Sequence, residues 1–194
     1  VLSAGAVHTA GITSNGSLFT WGSNAAGQLG IGLTTSRSSP VQVGTSSWTT
    51  VSAGSSTTGA IRSDGTLWSW GNNNLGQLGL GNTTNYSSPK QIGSLTNWSS
   101  AFCGYLHTVS IKTDGTLWGW GQNTGGQVGD NTTVYRSSPV QISSQSWRNV
   151  YAGLSSSAAI RSDYALFTWG NNSTGQLMLN NTTLKSTPTQ VGNS

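Results

Sequence analysis

One unit of about 49 residues is written four times in this chain, and that repetition restricts the fold more than any other feature. Trp-Gly pairs begin at Trp21, Trp70, Trp120 and Trp169, and Gly-Gln pairs at Gly27, Gly76, Gly126 and Gly175, so both series advance by 49, 50 and 49 residues. The only prolines, Pro40, Pro89, Pro139 and Pro188, keep the same steps, as do Gly5, Gly54, Gly104 and Gly153. Units at about residues 1–48, 49–98, 99–147 and 148–194 leave nothing over for a second domain. The chain opens on Val1 and breaks close to a unit boundary at both ends, so the expectation is an excerpt of a longer polypeptide.

Inside each unit the periodicity is that of a β-strand. In Thr66-Leu67-Trp68-Ser69-Trp70 an alternation of two puts Trp68 and Trp70 on one face and Leu67 on the other. Phe19 and Trp21 oppose Leu18 in the same way, Trp118 and Trp120 oppose Leu117, and Phe167 and Trp169 oppose Leu166. A strand apolar on both sides has to be covered on both sides. Asn15-Gly16, Asp64-Gly65 and Asp114-Gly115 precede these strands and predict two-residue hairpin turns, whereas Asp163-Tyr164-Ala165 breaks the rule in the fourth unit. No segment carries a capped helical period, and 27 glycines argue against long helices.

Four small sheets that each need cover on two faces are satisfied by stacking around an axis, which predicts an all-β fold, a β-propeller with four blade units. A β-solenoid is the rival, but its rungs are shorter than about 49 residues. Ser3 to Gly5 and Ser52 to Gly54 suit an innermost strand where blades crowd together. Trp21, Trp68, Trp70, Trp118, Trp120 and Trp169 are the expected blade-packing residues. Each aromatic ring buries roughly 150 to 250 Å², on the order of 4 to 6 kcal/mol before entropy is counted. An open arc of four blades would leave one aromatic and one leucine face bare. Closure as a four-bladed ring, further blades of the same polypeptide, or blades of another chain would cover them.

Val51-Ser52-Ala53-Gly54, then Ala60 to Gly71, then Gly76-Gln77-Leu78-Gly79, then Pro89-Lys90-Gln91-Ile92 closely resemble the repeat of the regulator of chromosome condensation family. All four units carry the resemblance. It implies a seven-bladed propeller of four-stranded blades, of which this chain holds four units. One member type of that family exchanges nucleotide on a small GTPase and binds chromatin, using an inserted loop and acidic surface residues. Here the units carry no insertion, and three of the four Asp sit in hairpin turns. Another is a plant ultraviolet-B photoreceptor with a Gly-Trp-Arg-His-Thr motif; Gly104-Tyr105-Leu106-His107-Thr108 lacks its Trp and Arg.

The chemistry available is sparse, since only 6% of residues are charged and the chain has one Cys, two His and no Glu. A paired-carboxylate or zinc site cannot easily be assembled from that set, and no cofactor or metal is expected. His8 and His107 share one repeat position and read as side chains bonding backbone within their own blades. Cys103 reads as a small buried hydrophobe, and Gly76 to Gly81 as a structural turn rather than a phosphate loop. Arg62, Lys112 and Arg161 stand two residues before Asp64, Asp114 and Asp163 and are expected to pair with them. Arg37, Arg136 and Lys185 share another position, with Tyr86 in the second unit, and are expected to form a basic arc along one rim. That arc fits an anionic partner, set against the plainer reading of solvated charge that keeps the protein soluble. Nucleic acid is not expected, because dense basic clusters with reachable aromatics are missing.

The expected function is therefore non-catalytic: a structural, protein-interaction propeller whose partners are other proteins, or further copies or blades covering the terminal faces. Low charge and abundant Ser, Thr, Asn and Gly suggest a virion part, such as a bacteriophage appendage or decoration protein, or an exported surface protein. The alternative is an intracellular scaffold, cytoplasmic or nuclear, or a nucleotide exchange factor for a small GTPase. No run of about 18 apolar residues predicts a membrane span.

Overall fold

The computed structural model describes residues 1–192, among which there are sixteen strands and no helix. In the first blade β1 (Leu2–Ala4), β2 (His8–Ile12), β3 (Leu18–Gly22) and β4 (Arg37–Gln42) lie side by side in chain order, each antiparallel to its neighbour. The second blade repeats this with β5 (Trp48–Ala53), β6 (Thr57–Arg62), β7 (Leu67–Gly71) and β8 (Tyr86–Gln91). The third uses β9 (Trp98–Cys103), β10 (His107–Lys112), β11 (Leu117–Gly121) and β12 (Arg136–Ser143). The fourth uses β13 (Trp147–Ala152), β14 (Ser156–Arg161), β15 (Leu166–Gly170) and β16 (Lys185–Gln190). This is the β-propeller architecture that the repeat predicts.

The two apolar faces of each blade meet different neighbours. Ile12, Leu18 and Val43 of the first blade pack against Trp48, Val51 and Trp70 of the second. Ile61, Leu67 and Ile92 of the second meet Trp98, Ala101 and Trp120 of the third, and Ile111 and Leu117 of the third meet Trp147, Val150 and Trp169 of the fourth. So each seam is a leucine face closed by the next blade's tryptophan face. Trp48, Trp98 and Trp147, which open the first strands of blades two to four, set an extra ring into every seam; Trp48 lies edge-on to Trp68 at 6.3 Å and tilted against Trp70 at 5.9 Å.

Near the axis the first strands approach too closely for side chains. A Cβ on Gly54 would stand 2.5 Å from the Gly104 carbonyl, and one on Gly104 would stand 2.6 Å from that of Gly153. Tyr105 N–H donates to the Gly153 carbonyl across the second of these contacts, and Ala6 N–H donates to the Gly54 carbonyl where Gly5 approaches it. The small residues read from the sequence are thus a requirement of the axis.

The hairpins differ from the two-residue turns expected. Gly65 N–H donates to the Arg62 carbonyl while Arg62 N–H donates to that of Thr66, and positive φ falls on Gly65 (79°) but not on Asp64. That is a three-residue loop, a type I turn followed by one left-handed residue. It needs only one residue at positive φ, which explains how the fourth blade keeps the same turn: Tyr164 adopts φ 70° and donates its N–H to the Arg161 carbonyl. A left-handed tyrosine costs about 1–2 kcal/mol. Tyr164→Gly should therefore raise stability by roughly 0.5–1 kcal/mol in urea unfolding, the greater freedom of unfolded glycine taking back part of the gain. A lowered midpoint would mean that the Arg148 to Tyr164 hydroxyl bond of 2.9 Å outweighs the backbone strain.

Candidate interaction surfaces

Every seam is fastened by a chain of buried hydrogen bonds. The Gln28 carbonyl accepts from both Thr58 Oγ1 and Trp70 Nε1 of the next blade, at 2.7 and 2.9 Å. Gln77 does the same for Thr108 and Trp120, and Gln127 for Ser157 and Trp169. His8 and His107 extend two of these chains. Their Nε2 atoms lie 2.8 Å from Thr58 Oγ1 and Ser157 Oγ, and since those hydroxyl protons already go to carbonyls, the imidazoles donate. The expectation of bonds to backbone within the same blade is corrected: these histidines cross to the following blade. Burial pushes both down to about 4 from 6.5, and each Nδ1 has no partner.

The pattern stops at the two ends of the arc. Trp21, counted among the packing residues from sequence, is half-buried, and neither its Nε1 nor the hydroxyl of Thr9 has an acceptor among the described residues. At the other end Leu166 is half-buried where Leu18, Leu67 and Leu117 are nearly or wholly buried, and no donor among the described residues reaches the Gln176 carbonyl. These are the bare aromatic and leucine faces expected of an open arc. The fourth blade departs in one more respect. Gly30, Gly79 and Gly129 lie flat on the next blade's tryptophan, where a Cβ would stand 2.6 to 2.8 Å from its Nε1; Met178 occupies the corresponding place, exposed and at φ 57°.

Arg37, Tyr86, Arg136 and Lys185 open the outermost strands β4, β8, β12 and β16, paired respectively with Gly22, Gly71, Gly121 and Gly170, and all are half-buried. They hold equivalent places, one per blade. Charge along the arc is uneven, because Arg136 Nε donates to Asp130 Oδ2 at 2.6 Å. Burial raises the Asp130 carboxyl, but bonds from Thr132, Arg136 and Asn123 hold it below its usual range. Among the described residues Arg37 and Lys185 have no carboxylate within ion-pair distance, so the uncompensated charge sits on the first and last blades.

The hairpin cations also depart from expectation, since only Arg161 pairs, through a bidentate contact to Asp163 that pulls its carboxyl down to about 2. Asp64 instead accepts from the Thr66 hydroxyl and N–H, and Thr66 Oγ1 in turn accepts from Trp68 Nε1. Asp114, Thr116 and Trp118 form the same relay. In the fourth blade Ala165 and Phe167 replace the Thr and Trp, the relay is lost, and the carboxylate turns to its arginine. Released from Asp64, Arg62 lies 3.5 Å over the Trp68 ring; Lys112 lies 3.6 Å over Trp118.

Cys103 is buried beneath the second blade, and burial lifts its thiol to about 11. Among the described residues no three His, Cys, Asp or Glu side chains gather in a way that would hold a metal, and no helix is long and apolar enough to cross a membrane.

The model of the Regulator of chromosome condensation (RCC1) repeat matches residues 15–61, 64–111 and 114–160, and a second model of the same repeat matches 48–77 and 98–127. Human WBSCR16 is similar in structure, with a TM-score of 0.89 at 25% identity over 98% of this chain and 52% of that one. Prp20p of Saccharomyces cerevisiae, described with its binding to Gsp1p and histones, gives 0.87 at 23% identity over 100% of this chain and 50% of its own. Yeast Prp20 bound to Kap60 gives 0.87 at 23%, over 100% and 48%. The chain spans about half the length of these solved structures. No curated protein matches it significantly.

Proposed function

The chain belongs to the regulator of chromosome condensation repeat family, and from that premise we propose that it is a non-catalytic propeller module that docks other proteins through its open blade faces and rims. The observation that carries this reading is the open first face, where Thr9 and Trp21 present the two donors that every internal seam satisfies. A seam carbonyl of another blade fits them. Chemistry of catalysis finds no support in the residues, since both histidines are neutral seam bonds and Cys103 is a buried thiol. Hydroxyl-radical footprinting of the native material should find the Trp21 ring protected. Oxidation of Trp21 in the native material at the same rate as in the isolated four-blade chain would reject the proposal.

A second reading, an exchange factor or scaffold for a small GTPase, is favoured by the similarity to Prp20p, whose described partners include Gsp1p. Accelerated nucleotide release from a small GTPase would support it, and no acceleration at micromolar concentration would reject it. Nothing in the fold or the similarities favours the virion or exported assignment over these.

A further inference from the structure

Two equivalent grooves lie between the blades, at the end of the strands opposite the Arg37 and Tyr86 arc. The first has a volume of about 430 Å³ and is lined by Ile31, Val43, Trp48, Arg62 and Pro89. The second, about 380 Å³, is lined by Leu80, Ile92, Trp98, Lys112, Trp118 and Pro139. Each has a single cation; the second is walled mainly by apolar side chains, and the first adds Gln42, Ser46 and Ser88 to its apolar wall. In neither does that cation meet a carboxylate, because the Thr66 and Thr116 relays hold Asp64 and Asp114 aside. Lys112 is 6% exposed and its ammonium donates no hydrogen bond among the described residues; Arg62 Nε is buried without a hydrogen-bond acceptor, and both cations rest on indole rings instead. The seam between blades three and four is the internal contrast, for there Arg161 is neutralised by Asp163 and bonded to Gln145.

We propose that the grooves beside Arg62 and Lys112 bind an extended acidic-apolar segment of a partner protein, each taking one Asp or Glu carboxylate flanked by apolar side chains. The inference rests on the reading of the chain as a protein-docking module and supplies that module's ligand class. Charge selects the occupant. One cation in an apolar slot matches one monoanionic carboxylate, whereas a phosphate backbone needs several cations in line. The carboxylate replaces the acceptor that the relays deny to Arg62 and Lys112, and leucine-like or proline-like neighbours fill the walls formed by Leu80, Ile92 and Pro139.

The test is a tryptophan-fluorescence titration with a capped ten-residue peptide alternating leucine and aspartate, its asparagine analogue, and a single-stranded oligonucleotide. The aspartate peptide should bind saturably and the asparagine peptide at least tenfold more weakly. Arg62→Met and Lys112→Met should each weaken binding and together abolish it, with the urea midpoint recorded as a check on folding. Thr66→Ala keeps the cation but frees Asp64 to take it, so it should weaken binding as Arg62→Met does. Equal binding of the two peptides, unchanged binding by the double variant, or tighter binding of the oligonucleotide at these residues would each overturn the assignment. If Trp21 is protected in the native material while the peptide fails to bind, the grooves fall and the docking module stands.

Discussion

Trp120→Ala should lower the free energy of unfolding by about 3–5 kcal/mol, whereas Trp21→Ala should cost no more than about 1 kcal/mol. The two residues occupy the same place in their repeats. They differ in what lies against them: Trp120 is 1% exposed, packed on Ile61 and Leu67, and donates to the Gln77 carbonyl, while Trp21 is half-buried and no leucine face among the described blades packs on it. Truncation at Trp120 opens a cavity and strands a buried carbonyl acceptor that Thr108 only partly satisfies. At Trp21, half-buried and without a seam bond, it removes less buried surface and strands no acceptor. Chemical unfolding of the two variants checks this directly, and equal losses would show that the first face is covered in the isolated chain.

Stability should also fall between pH 6.5 and 4. A histidine held down to about 4 in the fold but protonating near 6.5 when unfolded gives the unfolded chain extra protons in that interval, so its contribution is whole above 6.5 and drains away as pH falls. At about 1.4 kcal/mol per pH unit, the loss is on the order of 3 kcal/mol for each of His8 and His107. Carboxylates add little to the loss above about pH 5, because the chain has no Glu and its four Asp, held below 3.8 in the fold, take up protons from the unfolded chain only toward the lower end of the interval. Replacing the two with the residues used in the other units, as His8→Thr and His107→Ser, should flatten the urea midpoint across this range. A slope that survives both changes would place the acid sensitivity elsewhere.

The architecture was legible in the chain because each fastening is a local motif repeated at a fixed step. Leu67 and Trp70 alternate within one strand, and Gly54 repeats wherever first strands crowd the axis. What stayed hidden depends on pairs that belong to different units. His8 looked like a matter for its own blade, yet its partner is Thr58, fifty residues on. The Arg62 and Asp64 spacing suggested an ion pair, and only the competing Thr66 hydroxyl decides against it. A signal was present: Thr66 and Trp68 both change in the fourth unit, the one where the pair forms. Trp48, Trp98 and Trp147 are missing from the expected packing residues because no alternating partner draws attention to them, although they recur at the same steps as the later Trp-Gly pairs.

Met178 gives the outer joint of the fourth blade a character of its own. A duplicated copy of the second blade, spliced in after the fourth, would bring its indole against a methionine stem where the internal joints offer only a hydrogen atom. A joint formed there therefore differs from the three internal ones, since a side chain stands where each of them has a bare glycine.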